Sequence, residues 1–331
     1  MPNLRNLFRR SKTTSDMPQT NGYPTSSEFP YPYKPKTEVP AKKFIEFNDA
    51  TFATLFWPSV SKPKGRVFIV HGFGEYTRLQ HRLMDHLALN GYESWTFDQR
   101  GAGETSEGKE RGRTNEFHVF NDLDHFIELN LKETQEKGIP LILFGHSMGG
   151  GITLNYGIHG THREKIAAYS TTGPLVLLHP HTAPMSAVNL VAPLLATVLP
   201  NFQINSGLDV DAIAGDAQYK KFLLHDEPLG MPLIGTLRQI YDFLQRGKKL
   251  NENSDGYVTQ FIEKPLIIMH GEKDTINDPA ATKRFYDAST LQDKQLKLYP
   301  DMVHSLLSLE NDENFAEVFG DYRGWLDSRF A

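Results

Sequence analysis

Leu141-Ile-Leu-Phe-Gly-His-Ser-Met-Gly-Gly-Gly151 is the stretch that decides the fold. Residues 141–144 are a short apolar run, the pattern of a strand buried on both faces. Residues 148–158 have the length and apolar content of a helix. Between them Gly145-His146-Ser147-Met148-Gly149 fits G-x-S-x-G, in the strand–turn–helix context that this motif requires. So sharp a turn strains the serine backbone and holds Ser147 Oγ out of the sheet. Gly145 and Gly149 leave room for neighbouring backbone, and Gly150 and Gly151 extend the small-residue surface. The first N–H groups of the helix then point at any anion that forms beside the serine. The plainer reading is a bystander serine at a strand–glycine–helix junction; the context favours a nucleophile.

Outward from this turn the chain alternates. Strands are expected at 43–48 and 51–57, joined by a tight Asn48-Asp49 turn, and at 66–70, 94–97, 141–144, 166–169, 266–269 and 295–298. Helices are expected at 79–89, 117–131, 148–158, 280–288 and 314–328. Short apolar strands alternating with amphipathic helices predict an α/β fold, a mostly parallel sheet covered on both faces. From residue 173 to about 256 the rhythm breaks, with prolines at 174, 180, 184, 193, 200, 228 and 232, which predicts an inserted lid. Residues 41–331 are therefore read as one domain carrying this insertion. Residues 1–40 hold 7 of the 20 prolines among Ser, Thr and Asn, and are read as a flexible tail. The end of that stretch, Phe29-Pro-Tyr-Pro-Tyr-Lys-Pro, is expected to lie extended on the domain.

Composition narrows the chemistry. The 331 residues include no cysteine, which removes disulfides, thiolate metal sites and a Cys nucleophile. The net charge of −5 argues against a nucleic-acid binder. Residues 1–13 carry Arg5, Arg9, Arg10 and Lys12 with no acid, but no apolar signal region follows. No apolar run reaches the length of a membrane span.

A serine needs a base oriented by an acid, in the chain order Ser, Asp or Glu, His. Two strand ends supply them: His270-Gly-Glu-Lys-Asp274 and Pro300-Asp-Met-Val-His304. Asp274 is assigned as the acid and His304 as the base. Glu272 and Asp278 compete with Asp274, but Asp278 before Pro279 reads as a helix N-cap and Glu272 as solvated. His270 competes with His304 but lies too near Asp274 in the chain. His179, His181 and His225 read as surface or packing residues. His71-Gly-Phe-Gly74 follows the strand at 66–70 and matches the loop type that supplies one oxyanion N–H. The donors would be the Phe73 and Met148 N–H groups, with His71 organising the loop. The Asp98-Gln-Arg-Gly-Ala-Gly103 turn lacks the full dinucleotide fingerprint, and Asp98 and Arg100 are expected to pin neighbouring loops. No metal or cofactor is called for.

Taken together, residues 71–106, LILFGHSMGGG, IIMHGEKDTINDP and LKLYPDMVHSLLSLE resemble the monoglyceride lipases, fungal type, from about residue 31 to 326. The resemblance implies an α/β-hydrolase fold with a mostly helical inserted lid. It implies cleavage of monoacylglycerol to fatty acid and glycerol through an acyl-serine. By position, Ser147, Asp274 and His304 match the triad, and Phe73 and Met148 the oxyanion hole. It further implies a cytoplasmic protein, peripherally associated with lipid droplets and intracellular membranes. Leu175, Leu178, Val191, Leu194 and Leu195 are the lid residues expected to meet an acyl chain or an interface. Rival readings are a broader carboxylesterase or lysophospholipase, and a non-catalytic lipid-binding protein of the same fold. Acyl preference and oligomeric state are not legible.

Overall fold

The computed structural model describes residues 29–183, 186–226 and 229–331, with the backbone alone for 186–190. β1 (Lys43–Phe47) and β2 (Ala50–Trp57) form a hairpin turned by Asn48 and Asp49, both at positive φ. Then come β3 (Gly65–Val70), α1 (His81–Leu89), β4 (Tyr92–Phe97), α2 (Glu116–Lys137), β5 (Leu141–His146), α3 (Met148–His159) and β6 (Ala168–Thr172). The insertion holds α4 (Ser186–Val198), β7 (Gln203–Asn205), α5 (Val210–Ile213), α6 (Ala217–His225), β8 (Ile234–Thr236) and α7 (Leu237–Glu252). The chain closes with β9 (Leu266–Gly271), α8 (Pro279–Ala288), β10 (Lys294–Tyr299) and α9 (Asp312–Phe330).

Eight strands form one sheet in the order β1-β2-β4-β3-β5-β6-β9-β10. Only β2 runs against its neighbours. The central strands are apolar throughout because both of their faces are covered. Val67, Ile69, Ile142, Phe144, Ile267 and Met269 face α1 and α9, in a core with Leu83, Leu87, Tyr322 and Leu326. Phe68, Val70, Leu141, Leu143, Leu266 and Ile268 face the opposite core, with Ile127, Ile152 and Phe285 of α2, α3 and α8.

Several boundaries differ from the sequence reading for local reasons. α2 runs on through Lys137, past the last apolar residue of its stripe. Its final turn is solvated, and Gly138 at φ 65° ends it. The interruption extends to the residue before β9 because a 3-10 stretch, Ser254–Gln260, follows α7. The insertion is also more regular than its prolines suggested. Pro193 sits inside α4, and β7 pairs antiparallel with β8.

Of the stretch read as a tail, residues 1–28 lie outside the described residues. Residues 29–40 are docked against the domain. Asp85 of α1, fully buried, accepts hydrogen bonds from the Tyr33 hydroxyl, Lys36 N (2.9 Å) and Thr37 N (2.9 Å). Trp57 Nε1 donates to Thr37 Oγ1 at 2.8 Å. Tyr31 packs edge-on against Tyr219 and Phe222 of α6, and Phe29 stacks on His225. The segment is thus a strap between the domain body and the insertion. Asp85→Ala removes the shared acceptor, and urea denaturation is expected to show about 2–4 kcal/mol lower stability. An unchanged midpoint would contradict this role for the strap.

Candidate active site

The site begins with a steric constraint. Ser147 sits at φ 54°, ψ −118°, between β5 and α3. A Cβ on Gly145 would lie 2.2 Å from Gly149 O, and one on Gly149 would lie 2.1 Å from Val70 O. Only glycine permits these approaches. The turn is tied by Ser147 N to Thr172 O (3.0 Å), and by Gly151 N and Leu175 N to Ser147 O (3.0 and 2.9 Å).

Asp274 follows β9 and is 1% exposed. Its Oδ1 accepts from Ile276 N (2.8 Å) and Asn277 N (3.0 Å). Its Oδ2 lies 2.6 Å from His304 Nδ1 and 3.0 Å from His270 Nε2. Burial alone would push this carboxyl up. Electrostatic attraction to the His304 imidazole and the hydrogen bonds from both imidazoles outweigh burial and hold it well below the usual carboxylate range. His270 Nδ1 meets Thr282 Oγ1 at 3.0 Å, leaving Nε2–H to donate. His270, read in the sequence as a rival base, is therefore a second donor that orients Asp274. Of the rival acids, Asp278 caps α8 through Ala280 N (2.9 Å), and Glu272 is exposed.

The loop after β3 lies against the serine. A Cβ on Gly72 would fall 3.1 Å from Ser147 Cβ. Buried His71 shapes this loop: Nδ1–H donates to Gly72 O (2.8 Å) and Nε2 accepts from Gln99 N (2.9 Å). Glu75 Oε2 accepts from Gly72 N at 2.7 Å. Phe73 borders the cavity at Ser147, and Met148 opens α3, where backbone N–H groups have no intrahelical acceptor. Asp98 and Arg100 do pin loops. Asp98 accepts from Thr77 N and Glu104 N, and Arg100 donates to Asn48 O in the β1–β2 turn while pairing with Asp122 of α2.

The cavity is narrow, about 40 Å³, and is bordered by Ser147, His304, Glu75, His146 and Ser305 on its polar side. Its apolar wall includes Leu208, Ile213, Leu223, Leu229, Met231 and Leu233 from the insertion. None of the five lid residues expected from the sequence borders it. Leu175 is buried in the core, and Leu178 packs against that core and bridges to Asn277. Val191 and Leu194 face solvent, and Leu195 is half-buried. An apolar segment such as α4 does not disclose which of its faces turns inward. The wall of this cavity comes from irregularly spaced residues with no periodic signal. Asn277, Glu75 and His146 were also missed: His146 fills a variable position of G-x-S-x-G, and Glu75 and Asn277 lie just beyond the residues that the loop and acid motifs specify. Among the described residues, no group of three or more His, Asp or Glu side chains is placed to hold a metal ion.

A family model described as serine aminopeptidase, S33 (Hydrolase_4), matches residues 61–312. The monoglyceride lipase of Saccharomyces cerevisiae is 52% identical over 303 residues, 90% of this chain and 96% of that protein. The chain belongs to the monoglyceride lipase family. The crystal structure of a soluble variant of the S. cerevisiae enzyme, in complex with a substrate analogue, superposes with a TM-score of 0.88. That comparison has 51% identity and covers 91% of this chain and 99% of the other. The monoacylglycerol lipase of Paleococcus ferrophilus shares the fold, with a TM-score of 0.69 at 22% identity over 84% and 99% of the two chains. The family and the α/β-hydrolase fold expected from the sequence are thus established, and the chain is a serine hydrolase.

In this family member the residue before the serine has its own electrostatic setting. Burial pushes His146 down to about 4, despite the Glu75 carboxylate 3.7 Å away. Its ring centre is 4.8 Å from that of His304, so a neutral His146 places no like charge beside that imidazole. Burial likewise lowers His81 to about 3 and His86 to about 4. These imidazoles protonate near pH 6.5 in the unfolded chain. Between about pH 6.5 and 4 the unfolded state binds more protons, so stability falls as pH falls through that window. Tm is expected to drop steadily from pH 7 to 5. A flat profile would contradict the neutral state of these histidines in the folded chain.

Proposed function

We propose that the protein hydrolyses monoacylglycerols to free fatty acid and glycerol, with Ser147, His304 and Asp274 as the triad. The observation that carries this reading is the cavity at Ser147. It joins an aliphatic wall to a compact polar group of Glu75, His146 and Ser305. One long chain and one small hydroxylated head satisfy those two surfaces together. The substrate named for the S. cerevisiae relative agrees with it.

In this mechanism His304 takes the Ser147 proton as Oγ attacks the ester carbonyl, and Asp274 stabilises the imidazolium. The Phe73 and Met148 N–H groups hold the oxyanion. Glycerol leaves with the proton from His304. Water, deprotonated by His304, then releases the fatty acid. A cavity of about 40 Å³ is far below the several hundred Å³ of an occupied ligand site. The lid side chains must therefore separate to admit the acyl chain.

We also propose that the outer face of α4 meets a lipid surface from the cytoplasmic side, at lipid droplets or intracellular membranes. Val191, Leu194 and Val198 of α4, with Leu199 and Phe202 just after it, are 45–65% exposed. A patch of this kind is costly to leave in water and gains by insertion at an interface. Among the described residues, no helix is long and apolar enough to cross a membrane.

Ser147→Ala is expected to abolish monoacylglycerol turnover and labelling by a fluorophosphonate. Retained labelling would sink the assignment, and a preference for diacylglycerol or lysophospholipid would overturn the substrate. Replacing Val191, Leu194 and Val198 together by Ser is expected to weaken vesicle co-sedimentation about tenfold or more. Hydrolysis of a short soluble ester should change by less than about twofold. Parallel loss of both activities would count against the surface role.

A further inference from the structure

The loop between Asp274 and α8 carries a side chain that the triad does not account for. Asn277 is 1% exposed and sits where three elements of the site meet. Its backbone N–H donates to Asp274 Oδ1 at 3.0 Å. Its side-chain Nδ2 donates to Gly173 O at 2.8 Å and approaches Ser147 Oγ at 3.5 Å. The backbone on both sides is fixed, with His179 N on Ile276 O and Asp278 N on Leu177 O, each at 2.9 Å.

We propose that Asn277 is a catalytic residue of this site, whose amide N–H holds a lone pair of Ser147 Oγ and so leaves the hydroxyl proton for His304. The inference rests on Ser147 being the nucleophile. Amide orientation follows from chemistry: Gly173 O is only an acceptor, so the NH₂ group must face it. One proton of that planar group is spent on Gly173 O. The other is then left with Ser147 Oγ. The contact is long in the resting site, as catalytic hydrogen bonds often are before charge develops. It strengthens as Oγ loses its proton to His304 and becomes more negative. The same donor serves in reverse when the acyl C–Oγ bond breaks, its electron pair returns to Oγ, and His304 restores the proton.

A fluorophosphonate isolates this step. The Oγ–P bond forms, the P–F bond breaks with loss of fluoride, and the Oγ proton passes to His304. Second-order labelling rates should be compared for wild type, Asn277→Ala, Asn277→Leu and Asn277→Asp, with thermal denaturation to confirm folding. A donor role ranks the variants by hydrogen-bond polarity. Ala and Leu should both label about tenfold slower, the worth of one neutral hydrogen bond. Asp should be slower by more than about 100-fold, because its carboxylate accepts the Ser147 proton that His304 needs. A space-filling role ranks them by shape, with Ala slowest and the near-isosteric Leu and Asp close to wild type. That ranking overturns the proposal, as does any folded variant labelling within about twofold of wild type. Wild-type labelling that survives Ser147→Ala would instead remove the reading beneath it.

Discussion

A contact between two backbones sets the geometry of this site. The first turn of α3 lies so close to the end of β3 that a single methyl on Gly149 would sit 2.1 Å from Val70 O. That approach brings the loop after β3 beside the serine and aims the start of α3 at the same point. The two prospective oxyanion donors therefore come from different elements yet share one target. Ser147 at φ 54° is the local cost of the arrangement, borne where the chemistry uses it. Everything else in the site hangs on adjacent strand ends. β6 delivers Gly173, β9 delivers Asp274, and the loop after β10 delivers His304.

The fold, and the meeting of Asp274 with His304 beside Ser147, were legible because they leave local signatures. The alternating strands and helices, the G-x-S-x-G turn, and the acid and histidine after β9 and β10 each depend on a few neighbouring residues. Asp278 before Pro279 could be assigned as a cap rather than a catalytic acid on the same local grounds. His270 was harder. Its spacing from Asp274 excluded it as the base, but its place on the far side of the same carboxylate oxygen is a tertiary fact. Asn277 left no trace in the pattern, because its value lies in a carbonyl from residue 173 and a hydroxyl from residue 147.

The insertion was the least legible part. Its apolar residues were visible, but their direction was not. Val191 and Leu194 face outward, while Leu208, Leu223 and Leu233, with less regular spacing, close over the serine. An amphipathic stripe reveals its inner face by polar residues opposite. α4 is apolar on most sides, with Ala196 buried and Val198 exposed, so the stripe carries no such information.

The insertion also joins two strands, β6 and β9, that are neighbours in the sheet. Their pairing closes the loop at its stem, independently of what lies between. Closure entropy grows only logarithmically with loop length, about 0.6 kcal/mol for each doubling. The segment between Gly173 and β9 can thus lengthen, shorten or change its helices at little expense to the sheet. The strand ends that carry Ser147, Asp274 and His304 and the surface that covers them are, in architectural terms, separately adjustable parts of one chain.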